Sequence, residues 1–150
     1  MAHLQRVPFR YVSIVPDKET LGHVRLGEWP QWAHPESSQY RERAAFDWFE
    51  RRIRVDLAGQ IAESYHLGRR LRFGMQHDNS NAGDAALHLC RGVEETADAL
   101  LKWLYLDTRD LLTAPPAWAA VEALATALME RRTMKATTAR SMIRLALRVP

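Results

Sequence analysis

Leu57-Ala58-Gly59-Gln60-Ile61-Ala62-Glu63 ends a stretch in which apolar residues return every three or four positions: Phe46, Phe49, Ile53, Leu57 and Ile61. That period is helical and predicts one long helix with a buried stripe. Ser37 or Ser38 is placed to cap it near Gln39, and Gly68 to end it. In its last turns Ala58, Gly59, Ala62 and Glu63 fall at i, i+1, i+4 and i+5, so a second helix is expected to approach closely beside one carboxylate. Gly74-Met75-Gln76-His77-Asp78-Asn79 follows and puts a second carboxylate at a helix N-terminus, where free amides and the helix dipole favour an anion. On spacing alone both features read as tight packing and an ordinary helix cap.

Outward from this helix the chain reads as mainly helical, an α+β fold with a small antiparallel sheet near its N-terminus. Phe9, Tyr11, Ser13 and Val15 alternate with Arg10, Val12 and Ile14, which predicts a short strand, and His23 to Leu26 is expected to pair with it as a hairpin. Trp29-Pro30-Gln31-Trp32-Ala33-His34-Pro35 has two prolines and no apolar period, so it reads as an irregular loop. After Asp78 a short helix should reach Cys90, with Gly92 separating it from a long one. Ala97, Leu100, Leu101, Leu104, Thr108 and Leu111 would line the buried face of that long helix. Pro115-Pro116 stops it and opens the next, whose stripe is Trp118, Val121, Leu124, Ala125 and Leu128. A final helix carries Ala139, Met142, Ile143 and Ala146. Residues 1–150 are expected to form one domain, large enough to bury a core.

The two acidic segments resemble the C-terminal half of the FtsH-type (M41) zinc peptidase domain. Its helix carries Gly-x-x-Ala-Glu, matched by Gly59, Ala62 and Glu63, and a Gly-x-x-Asn-Asp turn follows, matched by Gly74 and Asp78. His77 departs from the usual Asn. Val7 to Pro16 and Leu21-Gly22-His23-Val24 resemble the family's strand and Leu-Gly-Tyr segment, and Trp118 to Thr133 resembles its closing helix before one last short helix. The resemblance thus covers nearly the whole chain. It implies a metallopeptidase lineage in which Asp78 is the third zinc ligand and Glu63 steadies the helices that hold the ligands. It also implies that the strand beside the zinc helix holds extended substrate, with Trp29 and Trp32 either touching a peptide or packing over a helix.

The family's other two ligands come from His-Glu-x-x-His, and this sequence has none. Its six histidines, His3, His23, His34, His66, His77 and His88, include no pair at i and i+4 around a Glu. By the resemblance Met1-Ala2-His3-Leu4 is the tail of the zinc helix, so the chain reads as a peptidase domain cut at its N-terminus. A hydrolytic zinc needs three protein ligands, an open position for water and a base. Asp78 supplies one of these, so zinc is expected for the family and not held by this chain alone. His77 and His88 read as partly exposed polar residues, not as a substitute site.

Composition narrows the partners. No apolar run approaches the roughly 18 residues of a membrane span, no signal-peptide core opens the chain, and no phosphate-binding Gly-x-x-x-x-Gly-Lys-Ser/Thr loop for ATP is present. A cytoplasmic location is expected, and the lone Cys90 forms no internal disulfide. The net charge of +3 rests on arginines such as Arg41, Arg43, Arg51, Arg52 and Arg54, with Arg69, Arg70 and Arg72 beyond. Acids at Glu42, Asp47, Glu50 and Asp56 interleave with them, so the helix reads as a solvated face and nucleic acid is not the expected partner. Two functional expectations follow: a peptidase lineage acting on proteins or peptides, and, as the alternative, a non-catalytic protein-binding module. In the second, the missing helix leaves an apolar groove that a partner or a second copy covers.

Overall fold

The computed structural model describes residues 1–16, 22–28, 30–34, 36–39, 41–68 and 80–148. Its element order is β1 (Phe9–Ser13), β2 (His23–Leu26), α1 (Glu42–His66), α2 (Ser80–Leu89), α3 (Glu94–Thr113), α4 (Pro115–Arg131), β3 (Thr133–Lys135) and α5 (Ala136–Ala146). The chain is therefore mainly helical, with one small antiparallel sheet of order β2-β1-β3. Among the described residues no single helix is long and apolar enough to cross a membrane, and α3 and α4 meet at a bend of 76°.

α1 is the centre of the molecule. Phe49, Ile53, Leu57 and Ile61 are buried along one side and pack with Ala82, Ala85 and Ala86 of α2 and Ala97, Leu104 and Leu112 of α3. The alanines of α2 let it lie close to α1. Phe46, expected in this stripe, is 42% exposed although its angular position lies within it. On α3 Leu112 is buried and the expected Leu111 is 38% exposed. On α4 the expected Ala125 is exposed, while Ala117, Ala120, Ala127 and Leu128 are buried.

A second core lies under the sheet. Phe9 and Val12 of β1, Met134 of β3, Ala127 and Leu128 of α4 and Ala136 and Ala139 of α5 form it with Ala2 and Val7. Simple alternation would put Phe9 and Val12 on opposite faces. A register shift between Phe9 and Tyr11 inserts one residue, so that both point inward, each 6% exposed. β3 has too few residues to show a period, and the sequence reading had carried this region as a helix running to Thr133. Helix α4 instead ends at Arg131, where Arg132 takes φ 61° and its N–H bonds the Leu128 carbonyl at 2.7 Å. Thr133 then bonds Ser13 side chain to side chain at 2.8 Å.

The start of α1 also differs from expectation. Ser37 Oγ accepts the Gln39 N–H at 3.1 Å in a local turn and caps nothing. Residues Gln31–Ala33 form a 3₁₀ turn, and the Arg41 N–H reaches back to the Trp32 carbonyl at 3.0 Å, so the helix begins at Glu42. Gly68 ends α1 as expected, with φ 61° and its N–H on the Tyr65 carbonyl.

Thr108 is fully buried on α3, and among the described residues its hydroxyl has no hydrogen-bond partner. An unpaired buried hydroxyl carries a desolvation cost with no return, so Thr108→Val should raise unfolding stability by about 1 kcal/mol. Urea denaturation checks this, and a loss of stability would mean that the hydroxyl is bonded in solution.

Candidate functional site

The two acidic segments of the sequence fare differently. Asp78 lies outside the described residues, as do Gly74, His77 and Trp29. Glu63 is exposed near the end of α1, and its carbonyl accepts the Leu67 N–H at 2.9 Å. Ala58 is buried and Ala62 half-buried against the helical core, whereas Gly59 is exposed and an added Cβ there would meet nothing within 4 Å. The close helix approach expected at Gly59 is thus not formed by the described residues. His88 sits against the Phe49 ring, centroids 5.0 Å apart. Among the described residues no three His, Cys, Asp or Glu side chains gather to hold a metal.

The first residues have a defined shape. The Gln5 N–H bonds the Met1 carbonyl at 3.0 Å, the Arg6 N–H bonds His3 at 3.2 Å, and the Val7 N–H bonds Ala2 at 2.9 Å, with Arg6 at φ 55°. That is the closure that ends a helix. α2 ends in the same way, with Arg91 on His88 at 3.2 Å, Gly92 on Leu87 at 2.8 Å and Arg91 at φ 52°. Met1 packs against the helical core and Ala2 and Val7 belong to the core under the sheet. Met1, His3 and Leu4 also line a small hollow with Leu112, Ala117 and Val121.

Next to this turn, a groove of about 420 Å³ opens between α1 and the segments that precede β1 and follow β2, with Arg6, Val7, Pro8, Gly27, Glu28, Pro30 and Trp32 on that side. Trp32, Trp48, Pro8 and Pro30 form apolar walls, and Arg6, Glu28, Asp47 and Arg51 bring both charges to it. Trp32 is half-buried and packs against the helical core while lining the groove, so both roles expected of it are compatible. Ala44, Asp47, Trp48 and Arg51 come from one face of α1, adjacent to the buried stripe. Their spacing of three and four is present in the sequence, and it makes one wall of a groove because the segments flanking β1 and β2 lie opposite. A polar hollow of Gln5, Glu50, Arg54 and Asp107 continues the groove through Asp47 and Arg51.

Much of the positive charge on α1 is paired. Arg54 bonds Glu50 and Asp107, both at 2.9 Å, and lies 5.3 Å from the centre of the Trp103 ring. Arg52 bonds both oxygens of Asp56 at 3.1 Å. Burial raises the Asp56 pKa above its ordinary value despite that guanidinium. Burial also pushes the Cys90 thiol up, which keeps the thiolate nucleophile scarce.

In comparisons by sequence and by structure, no family model, no curated protein and no solved structure matches the chain.

The raised Asp56 pKa has a consequence for pH. A carboxyl that holds its proton more tightly folded than unfolded favours the folded state at low pH, and that advantage disappears as pH rises from the unfolded value of 3.8 through the folded one. Wild type should therefore lose stability relative to Asp56→Asn as pH rises through this window. Denaturation of both proteins across the window checks the sign, and a relative gain would show that Arg52 outweighs burial.

Proposed function

We propose that this chain is the portion of an FtsH-type zinc peptidase domain that follows the metal-binding helix, and that its groove beside α1 receives an extended segment of protein substrate. One observation carries the reading: residues 1–7 close like the end of a helix, as the resemblance requires of the segment after His-Glu-x-x-His. The groove's two tryptophans and two prolines supply apolar contacts for alternate side chains of such a segment.

The donor set of this chain does not by itself fit a hydrolytic zinc. The lineage assigns it one ligand, Asp78, while tetrahedral zinc in a hydrolase takes three protein groups and leaves one position open. Glu63, exposed on α1, would orient neighbouring ligand-bearing elements. Peptide-bond cleavage therefore belongs to the domain with its histidine helix in place, and this chain supplies the substrate groove and the third ligand. Without that helix, the same groove would serve a protein-binding module.

Two measurements test the proposal. The intact mass of the protein from its native cell should exceed 17.2 kDa, with the extra residues at the N-terminus and containing His-Glu-x-x-His. That longer protein should hold one zinc, and Asp78→Ala should lower its zinc affinity by at least ~10-fold and abolish casein cleavage, as loss of a ligand or its support does. Unchanged zinc content in Asp78→Ala, or an upstream sequence without the two histidines, would remove the peptidase assignment.

A further inference from the structure

The charge of this chain is unevenly placed. Residues 131–150 hold six cations, Arg131, Arg132, Lys135, Arg140, Arg144 and Arg148, and no acid, while residues 1–130 hold fifteen cations against eighteen acids. The described members of this run behave unlike the arginines of α1. Among the described residues, none of the six has a carboxylate within salt-bridge distance. Arg144 donates to the Arg140 carbonyl at 3.3 Å, and Arg140 lies 4.9 Å from the centre of the Phe9 ring.

Arg140, Arg144 and Arg148 recur every four residues along α5 and just past its end, so their Cα atoms rise by about 6 Å per step. Lys135, the last residue of β3 and the N-cap residue of α5, joins this row to the sheet. There Tyr11 is paired with Lys135 on one side and Arg25 on the other. Tyr11 is half-exposed and both flanking cations are exposed. His3 registers the same field: after burial, Arg144 and Arg140 are what hold its imidazole below the ordinary pKa.

We propose that the row of Arg140, Arg144 and Arg148, with Lys135 at the start of α5, binds single-stranded nucleic acid through its phosphates, without sequence preference. Evenly spaced guanidinium groups match a polymer whose charges also repeat, and arginine presents a fork that fits phosphate. An anionic membrane is the less suitable partner. A helix lying in a bilayer surface needs an apolar face to insert, and α5 has turned its own inward. Ala136 and Ala139 are buried, and Met142, Ile143, Ala146 and Leu147 are half-buried, leaving Leu145 as its exposed large apolar residue.

The test is fluorescence anisotropy of a labelled oligothymidylate with the whole chain, repeated across salt concentrations. Wild type should bind at low salt, and R144E/R148E should weaken binding at least ~10-fold and reduce the salt slope by about 1.4, the value for two lost phosphate contacts on a single strand. R144Q/R148Q, with less charge change, should give a smaller loss in the same direction. K102E/R109E changes net charge by as much as R144E/R148E from exposed positions on α3 and should leave affinity within about twofold, since the bound phosphates lie elsewhere. Equal losses in the two Glu variants would overturn the proposal. So would absence of wild-type binding, or binding to phosphatidylserine vesicles without binding to the oligonucleotide.

Discussion

The buried stripe of α1 is the constraint on which the remaining structure depends. Phe49, Ile53 and Ile61 are each at most 2% exposed and lie in one core with residues of α2 and α3, both of which pack on α1. Truncating one such side chain in a packed core costs about 2–5 kcal/mol, a large part of a small domain's stability. From the same helix, Val55 packs against the core beneath the sheet, and Ala44, Asp47, Trp48 and Arg51 make one wall of the groove. α1 therefore joins two cores and positions the site between them.

Helix ends shape the rest. Arg6, Arg91 and Arg132 each take a positive φ at the close of a helical turn, a position glycine occupies at lower cost. At Arg132 the turn sends the chain into β3, which completes the sheet and aims α5 and its cations along the molecule. At Arg6 it releases the chain into β1 beside the groove.

How far the sequence spoke can be traced residue by residue. Long periodic segments were legible: α1, α3 and the β1–β2 hairpin stand where period and turn residues put them, because burial of a repeating face dominates there. The misreadings have local causes. Phe46, Leu111 and Ala125 keep helical spacing, and which residues at that spacing are covered depends on the neighbouring element, which periodicity does not give. β3 is three residues long and exists because β1 offers an edge to pair with. Ser37 spends its hydroxyl on its own turn. For the site, the sequence named Trp32, which lines the groove, but not Trp48, Asp47 or Arg51, since a groove is a relation between α1 and segments distant in the chain. Asp78 lies outside the described residues, Ala58 and Ala62 pack against the helical core, and Glu63 and Gly59 are exposed, with nothing among the described residues close to Gly59. The acid-free run after Glu130 was readable from composition, but it acquired a direction once α5 arranged its arginines in a row.

The account's central claim is that residues 1–7 form a docked helix end beside a groove that accepts an extended chain. Amide hydrogen exchange at Gln5, Arg6 and Val7 tests it most directly, because their N–H groups bond Met1, His3 and Ala2 in that closure. The account predicts that these three amides exchange orders of magnitude more slowly than an unstructured chain, as groups opening with a packed unit do. Exchange at unstructured rates, with the α1 amides still protected, would contradict it.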